Sequence, residues 1–295
     1  MDYLTPPPLS PGDTIGVMAP SSRIDASDLE NGAEVLRRKG YKVFLHPQCH
    51  EKLHQSAGTN EQKRDALHDL VTNPEIKAVF FATGGNRALH ILDLLDYDLI
   101  RKHPKIYMGF SDNTALLNAI TAKTGIVTYH GPTVKRLVKN PQVDFNLSLL
   151  AGHKKEIPMT CAKILREGNA KGTLIGGNLS LFQYLVESGE IPNPNGAILF
   201  LEDIAEEYSR IDRDFCYLRR CGLLDEIGGL VLGQFSDMRD SGTPFGFTFE
   251  DIIEEHTSGL NIPILVNAPF GHAEDLYVLP VGQRAELKNG SLILM

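Results

Sequence analysis

Along the N-terminal half, short β-branched apolar runs alternate with stretches of helical period. Asp13–Pro20 reads as a first strand that runs into a turn. Ser27 or Asp28 stands where a cap would start the next helix, which runs to Lys39 and is ended by Gly40. Tyr41–Leu45 is a second strand, Glu61–Thr72 a helix and Ala78–Ala82 a wholly apolar third strand. Lys105–Met108 is a fourth, followed by a helix to about Ala122. Strands separated by helices of this length predict right-handed βαβ units and a parallel sheet.

From 140 to 170 the pattern weakens, the chain becomes polar, and Pro141 and Pro158 interrupt it. Beyond it, Gly172–Gly177, Ala197–Leu201, Gly229–Phe235 and Ile262–Val266 are apolar strands, with a helix over Glu207–Cys221. Tyr277–Leu279, Arg284–Leu287 and Leu292–Leu294 read as short strands joined by glycine turns. These patterns predict an α/β chain in two parts: an N-terminal domain over residues 1–140, a connection over 141–170, and a C-terminal domain over 171–295.

Composition narrows the function. The 295 residues carry 29 Lys+Arg against 37 Asp+Glu, a net charge of −8, with no basic cluster. Such a chain has no general attraction to a phosphate backbone, so nucleic acid is not an expected partner. No run approaches the ~18–20 apolar residues of a membrane span. The first thirty residues lack the basic and apolar regions of a signal peptide, so the expected location is the cytoplasm. Cys49, Cys161, Cys216 and Cys221 form no CxxC pair and read as reduced thiols.

The chemistry concentrates at Gly109-Phe-Ser-Asp-Asn113, where a strand meets a helix. A serine at such a turn is lifted off the sheet toward a helix N-terminus, which favours developing negative charge. Ser111 is then a candidate nucleophile and the Asp112 N–H a candidate oxyanion donor. The other reading is that Ser111 or Asp112 caps the helix. Gly84-Gly85 follows the third strand; either it lets a second N–H reach an oxyanion, or it is a tight turn. Neither it nor Gly12–Gly16 forms a dinucleotide fingerprint.

A serine nucleophile needs a base and a carboxylate that orients the base. Glu202-Asp203 ends an apolar strand, where one carboxylate can orient a base or else cap a helix or pair with an arginine. His272, in Pro269-Phe-Gly-His272, lies on a loop after a strand and has the pKa range of a general base. His50 and His54 flank no third ligand at zinc-like spacing, so a solvated helix face is preferred to a metal site. His130 follows a strand and can line a cleft, while Arg210 and Arg213 share a helix face as ion-pair partners or carboxylate holders.

Taken in order, the segments resemble the LD-carboxypeptidase family of serine peptidases, which includes the microcin C immunity peptidases. The matching pieces are Pro11-Gly-Asp-Thr-Ile-Gly-Val-Met-Ala-Pro-Ser-Ser22, Gly58–Arg64, Asp96-Tyr-Asp98, Gly109-Phe-Ser-Asp-Asn-Thr114 and Tyr129-His-Gly-Pro132. They continue with Gly176-Gly-Asn-Leu-Ser180, Leu199-Phe-Leu-Glu-Asp203, Tyr208–Arg213, Pro269–His272 and Leu279-Pro-Val-Gly282. The resemblance implies a triad of Ser111, Glu202 and His272 in an interdomain cleft, with no metal or organic cofactor. It also implies an N-terminal sheet similar to class I glutamine amidotransferases, a smaller β-rich C-terminal α/β domain, and a homodimer. The implied reaction releases the terminal D-alanine of a muropeptide tetrapeptide during cell-wall recycling.

One loop departs from the family pattern. Members usually carry Arg-Gly-Gly-Tyr-Gly, or Gly-Gly-x-Asn-Ser in the immunity branch, where this chain has Thr83-Gly-Gly-Asn-Arg87. The loop is expected to supply an oxyanion N–H from Gly85, and Arg87 to meet the substrate carboxylate. Two alternatives follow: cleavage of a peptidyl or aminoacyl nucleotide, although no Trp is present to stack a base, or a catalytically silent muropeptide-binding protein.

Overall fold

Alternation along the central strands divides the N-terminal core into two faces. Val17, Phe80 and Met108 turn to one cluster, whereas Met18, Val79, Phe81 and Tyr107 turn to the other. A parallel strand covered by helices on both faces must be apolar on both, which is why Ala78–Ala82 shows no polar alternation. The computed structural model describes residues 3–159, 161–240, 242–288 and 290–295.

The first sheet holds β1 (Thr14–Met18), β2 (Lys42–Leu45), β3 (Ile76–Phe81), β4 (Ile106–Gly109) and β5 (Thr128–His130), all parallel. The segment expected to connect two domains contains the helix Val143–Leu150 and the edge strands β6 (Glu156–Ile157) and β7 (Lys163–Arg166). The second sheet is built on parallel β8 (Ala170–Asn178), β9 (Ile198–Ile204), β10 (Gly229–Ser236) and β11 (Ile264–Val266). The tail supplies β12 (Leu279–Val281), β13 (Arg284–Lys288) and β14 (Ser291–Leu294). The strand orders are β12-β5-β4-β3-β1-β2 and β6-β14-β13-β8-β9-β10-β11-β7. β12 therefore crosses back, pairing antiparallel with β5 at Leu279 opposite His130.

The helix after β1 starts at Ala26 behind Asp25, so neither Ser27 nor Asp28 occupies the cap. Helices Leu179–Ser188 and Phe249–His256 add to the elements anticipated from the pattern. The first is capped by the Asn178 side chain, the second by a box between Thr248 and Asp251. Among the described residues no helix is long and apolar enough to cross a membrane.

The two sheets meet where the helix Thr114–Thr124 packs on β8. The Asn178 N–H donates to Thr114 Oγ1 at 2.9 Å, and Asn118 Nδ2 donates to the Gly176 carbonyl at 2.9 Å. A Cβ on Gly177 would lie 2.5 Å from Thr114, and one on Gly176 would lie 1.8 Å from the Phe200 carbonyl oxygen. Two glycines at positive φ are the condition for this approach.

Candidate active site

β4 ends at Gly109, and Ser111 follows with φ +62°, a left-handed conformation that is uncommon and costly for a residue with a side chain. A 3-10 turn over Ser111–Asn113 precedes the helix that starts at Thr114. The Ser111 hydroxyl donates to His272 Nε2 at 3.1 Å rather than capping the helix. Asp112 does not cap it either: its Oδ2 accepts the Ala88 N–H at 2.9 Å and ties the Gly84–Ala88 loop to the turn. Burial raises the Asp112 carboxyl above the usual range, opposed by its hydrogen bonds and the Lys63 charge.

His272 Nδ1–H donates to Glu202 Oε2 at 2.7 Å, which leaves Nε2 free to accept from Ser111. Glu202 is completely buried, and His272 retains only 15 % of its side-chain exposure. Burial alone would push the imidazole pKa down, but the Glu202 charge and hydrogen bond, helped by Asp203, outweigh it and raise the net value.

Strand alternation separates the two acids at the end of β9. Glu202 faces His272, while Asp203 turns to the opposite side and accepts the Ser180 N–H, the Ser180 hydroxyl and Asn178 Nδ2 at 2.8–2.9 Å. Gly271 lies against the back of Glu202, where a Cβ would come within 2.8 Å of the Glu202 Cβ.

Gly84 packs against the serine, at 3.0 Å from its Cβ and 3.2 Å from its Oγ for a built Cβ. Gly85 has φ +113°, and a Cβ there would meet Ser22 Oγ at 2.1 Å. Ser111, His272, Gly84, Gly85, Thr133 and Arg136 all line one cavity of about 290 Å³. Arg87 opens instead to the neighbouring cavity, with Leu53, His54, Gln55 and Asn86.

Other candidates fall elsewhere. Cys49 is buried and donates to the Val17 carbonyl, and burial pushes its thiol up to about 12. Arg210 pairs with Glu206. His130 lies within β5, its ring edge-on to Phe110, Phe200 and Phe270, and burial with the nearby His272 charge pushes its pKa down to about 3. Neither of its ring nitrogens has a partner among the described residues.

Sequence reasoning passed over Lys63 and Arg136. Lys63 is fully buried, and burial followed by the Arg87 charge lowers its pKa to about 8 despite Asp112. The signal was present, because Lys63 shares an apolar helix stripe with Ala66, Leu67 and Leu70. Arg136 carries no such mark; only the fold brings it to His272.

Residues 15–131 match the LD-carboxypeptidase N-terminal domain, and residues 171–287 match the LD-carboxypeptidase C-terminal domain. The chain belongs to the LD-carboxypeptidase family. Within it, a probable murein peptide carboxypeptidase of Bacillus subtilis is 32% identical over 96% of this chain and 91% of that protein. Among solved structures, the wild-type microcin C7 self-immunity protein MccF of Escherichia coli, in its apo state, matches with a TM-score of 0.91 at 26% identity, covering 99% of this chain and 98% of that one. The muramoyltetrapeptide carboxypeptidase of Oxalobacter formigenes matches with a TM-score of 0.81 at 30% identity, covering 95% and 97%. LD-carboxypeptidases are serine-type hydrolases, and this chain is one of them.

Proposed function

We propose that this LD-carboxypeptidase hydrolyses the L,D-peptide bond that releases the terminal D-alanine of muropeptide tetrapeptides during cell-wall recycling. The observation that carries the reading is the continuous relay from the Ser111 hydroxyl through His272 to Glu202, at 3.1 and 2.7 Å. Binding alone requires no such relay, which argues against a silent muropeptide-binding protein.

In this mechanism His272 takes the Ser111 proton as Oγ attacks the carbonyl carbon of the last peptide bond. The N–H groups of Asp112 and Gly85 meet the oxyanion, and preorganised donors there lower the barrier. His272 then gives the proton to the nitrogen of D-alanine, which leaves, and the acyl-Ser111 ester remains. Water attacks that ester, with His272 as base again, and Ser111 is restored. Glu202 keeps Nδ1 protonated and stabilises the imidazolium. No step calls for a metal or organic cofactor.

The test is mass spectrometry of L-Ala-γ-D-Glu-diaminopimelate-D-Ala incubated with wild type and Ser111→Ala. Loss of one alanine is expected with wild type only, the variant being slower by roughly 10⁴–10⁶. The high structural similarity to MccF favours a second reading, cleavage of a peptidyl or aminoacyl nucleotide. Without Trp, Phe or Tyr would have to stack the base. An intact tetrapeptide together with a cleaved aminoacyl nucleotide would select that reading. A cytoplasmic homodimer belongs to the same proposal, and light scattering of the purified protein tests its mass.

A further inference from the structure

The geometry points to Arg136 as the receptor for the α-carboxylate of the leaving residue, so that the cavity at Ser111 selects peptides by their free C-terminus. This rests on the peptidase reading and adds the origin of its preference for chain ends.

Of the cations Lys63, Arg87, Lys135 and Arg136, three are poorly placed to meet a substrate anion beside Ser111. Lys63 is fully buried, and its Nζ has no hydrogen-bond partner among the described residues, so it cannot reach a ligand in the cavity. Lys135 lines the Ser111 cavity too, but its Nζ is 2.8 Å from Asp28, which already matches its charge. Arg87 lines the adjacent cavity. Arg136 is half-buried, lines the same cavity as Ser111 and His272, and forms no ion pair among the described residues.

Its guanidinium is nevertheless held. Arg136 Nη2 donates to the Ala273 carbonyl at 2.5 Å, which fixes the group beside the residue that follows His272. The short helix Val134–Leu137 that carries it is pressed onto the helix Ala26–Arg38, where a Cβ on Gly32 would meet the Val134 carbonyl oxygen at 2.2 Å. The Lys135 N–H also donates to the Ala82 carbonyl at 3.0 Å, anchoring the same turn to the end of β3. A guanidinium has five N–H donors in a planar fork, so one bond to a carbonyl leaves donors for a carboxylate. A held, half-buried cation without an anion is completed by one.

The direction of the reaction places that anion. The leaving nitrogen must take its proton from His272 Nε2, so the leaving residue lies on the His272 side of Ser111. Its carboxylate is attached one carbon beyond that nitrogen, and Arg136 is tethered one residue beyond His272. Arg87 lines a separate cavity that contains neither Ser111 nor His272. The cavity of about 290 Å³, just below the ~300–1,000 Å³ of small-ligand sites, has room for one residue beside Arg136.

The experiment compares kcat/KM for the tetrapeptide ending in D-alanine with that for its C-terminal amide, using wild type, Arg136→Met, Arg136→Lys and Arg87→Met. The acid-to-amide preference is expected to fall by ~10–10²-fold in Arg136→Met. Arg136→Lys should recover part of it, because lysine keeps the charge but loses the fork. The acid limb of the pH profile should also move upward in Arg136→Met, since the Arg136 charge holds the His272 pKa down. A preference unchanged in Arg136→Met, or lost in Arg87→Met, overturns the assignment.

A second measurement separates this subsite from the substrate reading. Labelling of Ser111 by a fluorophosphonate is followed with D-alanine or D-alaninamide as competitor. Protection by D-alanine only, absent in Arg136→Met, supports the subsite even if wild type leaves the tetrapeptide intact and the muropeptide reading fails. Equal protection by both competitors, or by neither, overturns the subsite.

Discussion

The backbone N–H of Asn178 donates to the Thr114 hydroxyl at 2.9 Å, and this bond joins the helix behind Ser111 to the strand beside Glu202. Both groups are buried, so the bond is shielded from water. The bond lies in the seam between the helix that follows Ser111 and the strand position paired with Glu202.

Thr114→Val keeps the shape and removes the acceptor, leaving the buried Asn178 N–H unpaired. A loss of ~1–3 kcal/mol is expected in urea unfolding. Thr114→Ser should lose much less, because the hydroxyl remains. An unchanged midpoint in Thr114→Val would mean that the seam is held by packing alone.

Glu202→Gln removes the charge that raises the His272 pKa and leaves the burial that lowers it. On the proposed mechanism, the neutral imidazole that acts as base accumulates in wild type only above the ordinary histidine value of ~6.5, so activity is expected to fall as pH drops through the raised pKa. Removing the charge moves that limb to lower pH, and kcat is expected to fall by up to ~10⁴-fold. The same linkage acts on stability. The His272–Glu202 pair contributes fully below ~6.5, and its contribution is lost as pH rises through the raised folded pKa. Kinetic profiles and pH-dependent unfolding of wild type and variant check both signs.

Gly84→Ala puts a methyl 3.0 Å from the Ser111 Cβ and 3.2 Å from its Oγ. The serine must shift by a few tenths of an ångström or more, and a misplacement of ~1 Å costs ~10²-fold. Reduced kcat with a nearly unchanged melting temperature is the expected pattern. A fall in stability as large as the fall in rate would show that the loop itself has collapsed.

His130→Phe tests whether the buried imidazole is more than an aromatic filler. Its nitrogens have no partner among the described residues and its pKa is pushed down to about 3, so no charge is lost on substitution. A near volume-conserving change should cost less than ~1.5 kcal/mol, whereas His130→Ala should cost ~3–5 kcal/mol through the cavity it opens. Thermal unfolding separates the two. A large loss in His130→Phe would reveal a polar role for the ring.

Much of the fold was legible because the central N-terminal strands β1, β3 and β4 are buried on both faces and the helices between them carry clear stripes. The helix Leu179–Ser188 was harder to read, because Leu179-Ser-Leu-Phe-Gln-Tyr-Leu-Val is apolar on most sides and packs between the two parts of the chain. The segment between the two parts is polar for another reason. Asn140 and Asn146 both donate to the Leu276 carbonyl, and Gln142 Nε2 donates to Asp275, so its polarity serves the loop that carries His272 rather than solvent.

The chain by itself determined the α/β class, the turn that exposes Ser111 and the short list of acids and histidines, because these depend on local periodicity and on residue types with few alternatives. The residue pattern left Glu202 and Asp203 equal and the family resemblance pointed to Glu202; the tertiary structure sets Glu202 against His272, since neighbouring strand residues point to opposite faces. It also brought Arg136 beside a histidine far along the chain, through a hydrogen bond to a backbone carbonyl that any sequence could offer. Contacts of that kind leave no periodic trace, and so they become visible only in the folded molecule.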